Sequence, residues 1–151
     1  MADLEIRPAL PSDAPAIAEF QLRMARETED LELDRDTVNR GVEAVFADPA
    51  KGIYWIAESA GRIVGCLLTT YEWSDWRNGT VLWIQSLYVL PEERGRGVYR
   101  ALYEHLRREV EMNPSLKGIR LYVDRRNATA QRVYERLGMT REHYDLFEWM
   151  K

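Results

Sequence analysis

A strand, a glycine-rich turn and a helix follow one another in the second half of the chain, and this junction constrains the fold more than any other feature. It reads Val89-Leu90-Pro91-Glu92-Glu93-Arg94-Gly95-Arg96-Gly97-Val98. Pro91 ends the strand, and apolar residues at helical spacing run from Val98 to Val110. Backbone N–H groups at a helix N-terminus are unpaired, and glycines let that backbone approach a phosphate closely. The junction therefore predicts a pyrophosphate cradle, with Arg94 and Arg96 adding positive charge.

The hydrophobic pattern on either side predicts an α/β fold of the mixed α+β type. Predicted strands cover residues 4–7, 53–58, 63–73, 80–89 and 119–123, and the tail from 139 to 149 is expected to return as one strand or two. Predicted helices cover residues 12–26, 36–47, 98–112 and 127–137, and Ser12 is expected to cap the first of them. The element order is β-α-α-β-β-β-α-β-α-β, which predicts a mixed, mostly antiparallel central sheet flanked by about four helices. The strands at residues 53–58, 63–73 and 80–89 are expected to form an antiparallel meander. We expect a single domain, residues 1–151.

Composition narrows the class of protein. The chain has 151 residues, 46% of them apolar and 30% charged, which is typical of one globular domain. It contains no run of 18 apolar residues, and its first residues show no secretion signal, so we expect a cytoplasmic protein without a membrane segment. Cys66 is the only cysteine, and His105 and His143 lie far apart. No metal site is therefore predicted.

Charge is unevenly spread along the chain. Residues 1–75 carry 7 basic and 15 acidic side chains, a net charge of -8, whereas residues 76–151 carry 14 basic and 10 acidic, a net charge of +4. The second half therefore suits an anionic ligand and the first half a cationic one. Six of the ten residues from 27 to 36 are acidic. Two solvated faces of opposite sign would give the same pattern.

Two motifs carry a resemblance to a known family. The turn lacks both the Walker A pattern and the Gly-x-Gly-x-x-Gly of dinucleotide sites. It resembles instead the pyrophosphate motif Gln/Arg-x-x-Gly-x-Gly/Ala of the GNAT N-acetyltransferase superfamily, on Arg94, Gly97 and Tyr99, where Tyr99 replaces the usual small residue. Residues 127–139 look like that family's Asn-x-x-Ala-x-x-x-Tyr-x-x-x-Gly-Phe/Met segment, with Asn127 and Tyr134 in place.

The resemblance implies acetyl-CoA as the acetyl donor and no metal. It implies that the backbone of Leu87 and Val89 pairs with the pantetheine arm, and that the Leu87 N–H stabilises charge on the thioester oxygen. Asn127 would contact the cofactor arm, and Tyr134 would protonate the leaving thiolate as general acid. The backbone N–H groups expected to hold the pyrophosphate are those of Gly95, Arg96, Gly97, Val98 and Tyr99.

The general base is left open by the sequence. Family members that acetylate polyamines have a carboxylate where this chain has Gln85 or Ser86. Glu72 at the end of the second meander strand and Asp75 just beyond it are the candidates here, acting directly or through water. Glu148 in the tail is a third. Each of these carboxylates would also be consistent with simple exposure to solvent.

The acceptor is expected to bind between the acidic N-terminal helices, the loop of residues 73–78 and the C-terminal strand. Acidic side chains between residues 29 and 34 would attract a cation, and Trp73 and Trp76 would cover an ammonium group. We expect a small polar or cationic amine, with a protein lysine or N-terminus as an alternative. A catalytically silent acetyl-CoA sensor or scaffold is the competing class. Nucleic acid is not expected as a partner, and a homodimer stays open.

Overall fold

The computed structural model describes residues 3–151. The chain divides into two compact units, a larger one that ends at Leu121 and a smaller one, Tyr122–Lys151. The predicted single domain of residues 1–151 stays a prediction, and residues 1 and 2 lie outside the described part. No helix among the described residues is both long enough and apolar enough to cross a membrane.

The larger unit contains one five-stranded sheet. Its strands are β1 (Leu4–Pro8), β2 (Ile53–Ser59), β3 (Arg62–Ser74), β4 (Gly79–Val89) and β5 (Leu116–Leu121), in the spatial order β1-β2-β3-β4-β5. All neighbours are antiparallel except β4 and β5, which are parallel. The predicted antiparallel meander of β2, β3 and β4 and the mixed sheet are therefore confirmed.

Three helices belong to this unit: α1 (Ala14–Glu29), α2 (Arg35–Ala47) and α3 (Val98–Met112). The predicted cap, Ser12, lies within a 3-10 turn, Pro11–Asp13, and α1 begins only after that turn. Asp34 caps α2 while it stays exposed to solvent: its side chain accepts a hydrogen bond from the Thr37 N–H at 2.9 Å.

The helices cover opposite faces of the sheet. Tyr54 on β2 stacks on Phe46 of α2, whereas its neighbour Trp55 packs on His105 of α3. Because successive strand residues point to opposite faces, α2 and α3 lie on different sides. Phe20 of α1 contacts Tyr88 on the same face as α2.

The core lies between these layers. The side chains with the least exposure, at most 1% of their surface, include Ile17, Ile56, Leu67, Leu102 and Leu106. Each contributes about 1.5–3 kcal/mol relative to an exposed position. Cys66 on the central strand β3 is also fully buried, and burial raises the pKa of its thiol to about 12.

Strand β5 begins earlier than the sequence pattern predicts. The prediction was residues 119–123, but the strand is Leu116–Leu121. The N–H of Thr80 donates to the Ser115 carbonyl at 2.8 Å, and parallel pairing then runs from Thr80 opposite Leu116 to Ile84 opposite Leu121. Pairing with β4 therefore decides where β5 begins and ends. The apolar alternation within residues 119–123 could not reveal these bounds.

The smaller unit contains α4 (Ala128–Arg136) as its only helix. The Asn127 side chain caps this helix by accepting from the Ala130 N–H at 3.0 Å, and Gly138 follows it at a φ of 92°. The predicted return strand in residues 139–149 is wrong, because this unit contains no strand. The tail has the alternating side chains of a strand, but a strand forms only with a partner for its backbone, and its own unit supplies none.

A buried ion pair ties the first strand to the first helical turn. Arg7 donates to both oxygens of Asp13, at 2.8 and 3.2 Å, and the Leu10 N–H donates to the same carboxylate at 2.7 Å. Asp13 is only 8% exposed. The hydrogen bonds from Arg7 lower the pKa of the Asp13 carboxyl, against the opposing effect of burial.

We expect Asp13→Asn to destabilise the fold by about 2 kcal/mol at neutral pH, because the Arg7 charge then loses its closest partner and keeps only Glu58, at 3.5 Å. A depressed folded-state pKa gives stability that is present above the unfolded value of about 3.9 and lost as the pH falls through the folded value. The penalty should therefore shrink in acid. Urea unfolding at several pH values measures it, with Glu5→Gln, an exposed position on β1, as control. An equal penalty at every pH would contradict the assignment.

Candidate functional site

Strand β4 continues past the end of β5, and this opens one edge of the sheet. Their register pairs end with Ile84 opposite Leu121, whereas β4 runs on to Val89 beside β3. Among the described residues, 85–89 therefore pair with a strand on one side only. The free edge can receive an extended ligand as an added strand. It includes Leu87 and Val89, the residues expected to contact a pantetheine arm.

A bulge marks the point where β4 leaves β5. Leu68 pairs with Ser86, but the next residue, Thr69, pairs with Ile84, so Gln85 has no opposite residue on β3. The Gln85 amide donates to the Thr70 hydroxyl at 2.9 Å. Bulges bend a strand and increase its local twist, which accounts for the separation of β4 from β5.

The glycine-rich turn connects this free edge to the N-terminus of α3. Gly95 and Gly97 have φ angles of 76° and 84°, in the left-handed region that glycine tolerates. Apart from the adjacent residues, no atom of the described part of the chain lies within 4 Å of the position that a Cβ would take at either glycine, so the turn is open in front. Val98, 1% exposed, anchors the first helical turn in the core. The first N–H groups of a helix have no intrahelical partner, and the turn therefore fits a pyrophosphate.

Arg94 is held by the protein rather than left in solvent. Its Nε donates to the Val89 carbonyl at 2.9 Å, and its Nη2 contacts Glu27 of α1 at 2.9 Å. The Tyr88 hydroxyl donates to the other oxygen of Glu27 at 2.8 Å, and the guanidinium lies 5.4 Å from the Tyr88 ring centroid. The bond from Arg94 is the main cause of the lowered pKa of Glu27. The side chain thus braces the turn, and its backbone stays available to a ligand.

Arg96 and Tyr99 complete the predicted cradle. The Arg96 side chain is 60% exposed and lies 3.5 Å from Glu93, so it can turn towards an anion. The Tyr99 hydroxyl is withdrawn from solvent. The larger side chain that departs from the family motif is therefore packed away, and only the backbone of Tyr99 belongs to the turn.

Glu72, a predicted base, lies in a polar cluster on β3. Its carboxylate accepts from the Trp83 indole N–H at 2.9 Å and from Arg120 Nη1 at 2.6 and 2.8 Å. The Trp83 bond is the largest of the causes that lower the pKa of Glu72, followed by Arg120. A carboxylate with a lowered pKa is a weaker base, so this environment suits ammonium binding better than proton abstraction.

The other acceptor-side candidates lie at the β3–β4 hairpin. Asp75 accepts from the Trp76 N–H at 2.9 Å and so orders its own turn. Trp73 and Trp76 are 66% and 91% exposed, and their covering of an ammonium group stays a prediction. Within the acidic segment, Glu32 contacts Arg26 at 3.4 Å.

The remaining candidates belong to the smaller unit. Asn127 uses its side-chain oxygen to cap α4, which leaves the amide nitrogen for a ligand. Tyr134 is partly buried on α4, and this burial raises the pKa of its phenol. Glu148 is exposed in the tail. Their roles stay predictions.

The sequence did not predict the contact of Arg94 with Glu27 or the polar cluster around Glu72. Glu27 was noticed only as part of an acidic run, and Arg120 was not singled out at all. Their partners lie 67 and 48 residues away in sequence, so no local spacing could have revealed them.

Comparison with known proteins places this geometry among acetyltransferases. The model of the Acetyltransferase (GNAT) family matches residues 15–139. The chain is 34% identical to a mycothiol acetyltransferase of Thermobispora bispora over 116 residues, which is 74% of this chain and 37% of that protein. It therefore spans about a third of that relative's length.

Two further matches cover nearly the whole chain. A thialysine N-epsilon-acetyltransferase of Mus musculus is 30% identical over 91% of this chain and 85% of that protein. The crystal structure of a possible acetyltransferase from Clostridium difficile 630 superposes with a TM-score of 0.92 at 39% identity, covering 99% of this chain and 98% of that one.

We expect Gly97→Ala to lower stability by about 1–2 kcal/mol, because an L-residue is strained at this positive φ. The relaxing backbone should also raise the Kd for acetyl-CoA about tenfold. Gly41→Ala is the matched control, since Gly41 is exposed inside α2 with an open Cβ position. That variant should gain about 0.5–1 kcal/mol. Thermal unfolding and titration calorimetry measure both effects, and unchanged binding in Gly97→Ala would contradict the assigned cradle.

Proposed function

Because the chain belongs to the GNAT family of acetyltransferases, we propose that it transfers the acetyl group of acetyl-CoA to a primary amine. The observation that carries the proposal is the free edge of β4, which leads directly into the open glycine turn of α3. An extended arm and a pyrophosphate need these two features in this order. The acceptor is a small polar or cationic amine, and it attacks directly while both substrates are bound.

The chain's own groups divide the work as follows. Leu87 and Val89 hold the donor by backbone pairing, and the Leu87 N–H stabilises the charge that develops on the carbonyl oxygen. The turn from Gly95 to Tyr99 binds the pyrophosphate, and Asn127 contacts the donor arm. Acetyl-CoA supplies the activated thioester.

Tyr134 protonates the sulfur that leaves. A phenol has a pKa near 10 and burial raises that of Tyr134, so the group is protonated throughout the neutral range. It can donate this proton as negative charge develops on the sulfur.

Water carries away the proton of the attacking amine. Asp75 lies just past the end of β3, eight residues after Leu67, which pairs with Leu87, so it acts only through a chain of waters. Glu72 is an anion at neutral pH, and its hydrogen bonds with Trp83 and Arg120 lower its pKa further. It attracts the acceptor instead.

Relatives support a small amine acceptor. One relative is described as a thialysine N-epsilon-acetyltransferase and another as a mycothiol acetyltransferase. The acidic residues between α1 and α2 suit a cation in this chain.

We expect Tyr134→Phe to lower kcat about 100-fold with at least one amine while the acetyl-CoA KM stays within about threefold, because the acid acts only in the chemical step. Release of free CoA is measured with polyamines, amino acids, aminoglycosides and peptides. Tyr144→Phe, at an exposed tail position, is the control.

Other outcomes discriminate between the alternatives. Stabilisation by acetyl-CoA without turnover of any amine would favour a silent sensor. Turnover of peptides alone would favour a protein acetyltransferase. A Tyr134→Phe variant with full kcat would remove the assigned acid while leaving the transfer reaction in place.

A further inference from the structure

Polar side chains form a continuous track on one face of the sheet, beside the free edge of β4. Leu68, Thr70 and Glu72 alternate along β3 and so share a face. Ser86 lies opposite Leu68, and Trp83 lies opposite Thr70, which places both on that face. We call the set of Thr70, Glu72, Trp83, Gln85, Ser86 and Arg120 the polar track.

The track lies on the side of the sheet that α1 covers. Cys66 is two residues before Leu68 on β3 and shares its face, and the amide of Gln21 on α1 lies 3.9 Å from the Cys66 sulfur. The acidic residues that follow α1 therefore belong to the same side, which suits a ligand with positive charge.

The ion pair of Arg120 and Glu72 forms one end of the track, and Arg120 has N–H donors that do not bind Glu72. The described contacts of Arg120 with Glu72 both use Nη1, whereas a guanidinium has five N–H donors. The two side chains are 39% and 35% exposed, so both can still meet a ligand. Trp83 holds the carboxylate in place from the other side.

A cation next to an anion matches the head of an amino acid. The carboxylate of a zwitterion would bind the remaining N–H groups of Arg120, since guanidinium and carboxylate are complementary in shape. The ammonium group would bind Glu72. A diamine has no carboxylate for Arg120, and its positive charge would be repelled by the guanidinium. The Glu72–Arg120 pair therefore favours an acceptor that carries both charges.

The opposite end of the track approaches Leu87. The Ser86 hydroxyl is withdrawn from solvent and has no hydrogen-bond partner among the described residues. A buried hydroxyl without a partner is unfavourable, and an amine that binds beside Leu87 would give it one. Gln85 and Thr70 line the path between the two ends.

The length of the track fits a particular size of acceptor. Trp83 and Leu87 are four residues apart along β4, whereas their partners on β3, Thr70 and Leu67, are three apart because of the bulge. The distance is therefore roughly 10–13 Å at about 3.3 Å per residue. A six-bond chain such as lysine, from carboxyl carbon to terminal nitrogen, spans about 7 Å. The rest of the distance is taken up by a hydrogen bond at the head of the amino acid and by the approach of its side-chain nitrogen, to about 3 Å, to the reacting carbon.

We propose that the acceptor is an amino acid of about lysine length, whose zwitterionic head binds Glu72 and Arg120 and whose side-chain amine reaches Ser86 and Leu87. This inference rests on the acetyl transfer proposed above. In the reaction the side-chain nitrogen forms a bond to the acetyl carbon and loses a proton. The carbon–sulfur bond breaks, and the sulfur gains a proton.

The first test compares L-lysine with cadaverine, the same molecule without its carboxylate, and with 6-aminohexanoate, the same molecule without its α-amino group. We expect kcat/KM for lysine to exceed that for cadaverine about tenfold or more, as one charge-assisted contact would give. The value for 6-aminohexanoate should lie between them. Mass spectrometry of the lysine product should place the acetyl group on the side-chain nitrogen.

The second test asks whether Arg120 reads the carboxylate. In Arg120→Gln the ratio of kcat/KM for lysine to that for cadaverine should fall to about one, and Arg120→Lys, which keeps the charge but loses the fork, should restore part of it. Arg107→Gln on α3 is the control: Arg107 is 58% exposed and also pairs with a glutamate, at 3.1 Å. Its ratio should equal that of the wild type.

The outcomes separate this inference from the function on which it rests. Equal or better acetylation of cadaverine, acetylation of the lysine α-nitrogen, or an unchanged ratio in a folded Arg120→Gln variant would overturn the inference and leave the transfer reaction standing. Failure of every amine in the panel would overturn the proposed function itself. The wild-type comparison decides the inference even where the Arg120 variants do not fold.

Discussion

The pairing of β4 with β5 over only half of its length is the constraint on which the candidate site depends. A parallel ladder that ran to Val89 would occupy every backbone group on that edge, and no arm could bind there. The bulge at Gln85 ends the ladder at Ile84 by turning the strand away. The same unpaired segment then enters the turn, so one local defect in a regular sheet creates both the edge and the approach to the helix N-terminus.

Around that opening, side chains that are far apart in sequence restrain the movable parts. Glu27 at the end of α1 fixes Arg94, and through it the turn, while Arg120 on β5 fixes Glu72 on β3. Each pair joins a basic residue of the second half to an acidic residue of the first. Some of the opposite charges of the two halves therefore pair with each other inside the protein. The charged side chains that stay exposed are those that a ligand would contact.

The sequence predicted what depends on local chemistry and missed what depends on distant partners. The turn before Val98 and the meander of β2 to β4 follow from glycine, proline and alternation, and the structure has them where expected. The bounds of β5 and the absence of a strand after Gly138 depend on whether a neighbouring strand is there to pair with. The residues of one segment do not specify its partner. In the candidate site, Arg94 was predicted as a phosphate ligand, whereas its side chain is engaged by Glu27.

Burial of the only cysteine has a practical consequence. Cys66 lies at 0% exposure on the central strand, and its thiol is far from ionised at neutral pH. A disulfide reagent reacts with thiolates that it can reach, so we expect no reaction with Cys66 in the folded chain. Colour that develops in the presence of the reagent therefore counts released CoA without a background from the protein. In the absence of substrates, slow labelling of the same thiol would report how often the centre of the sheet opens.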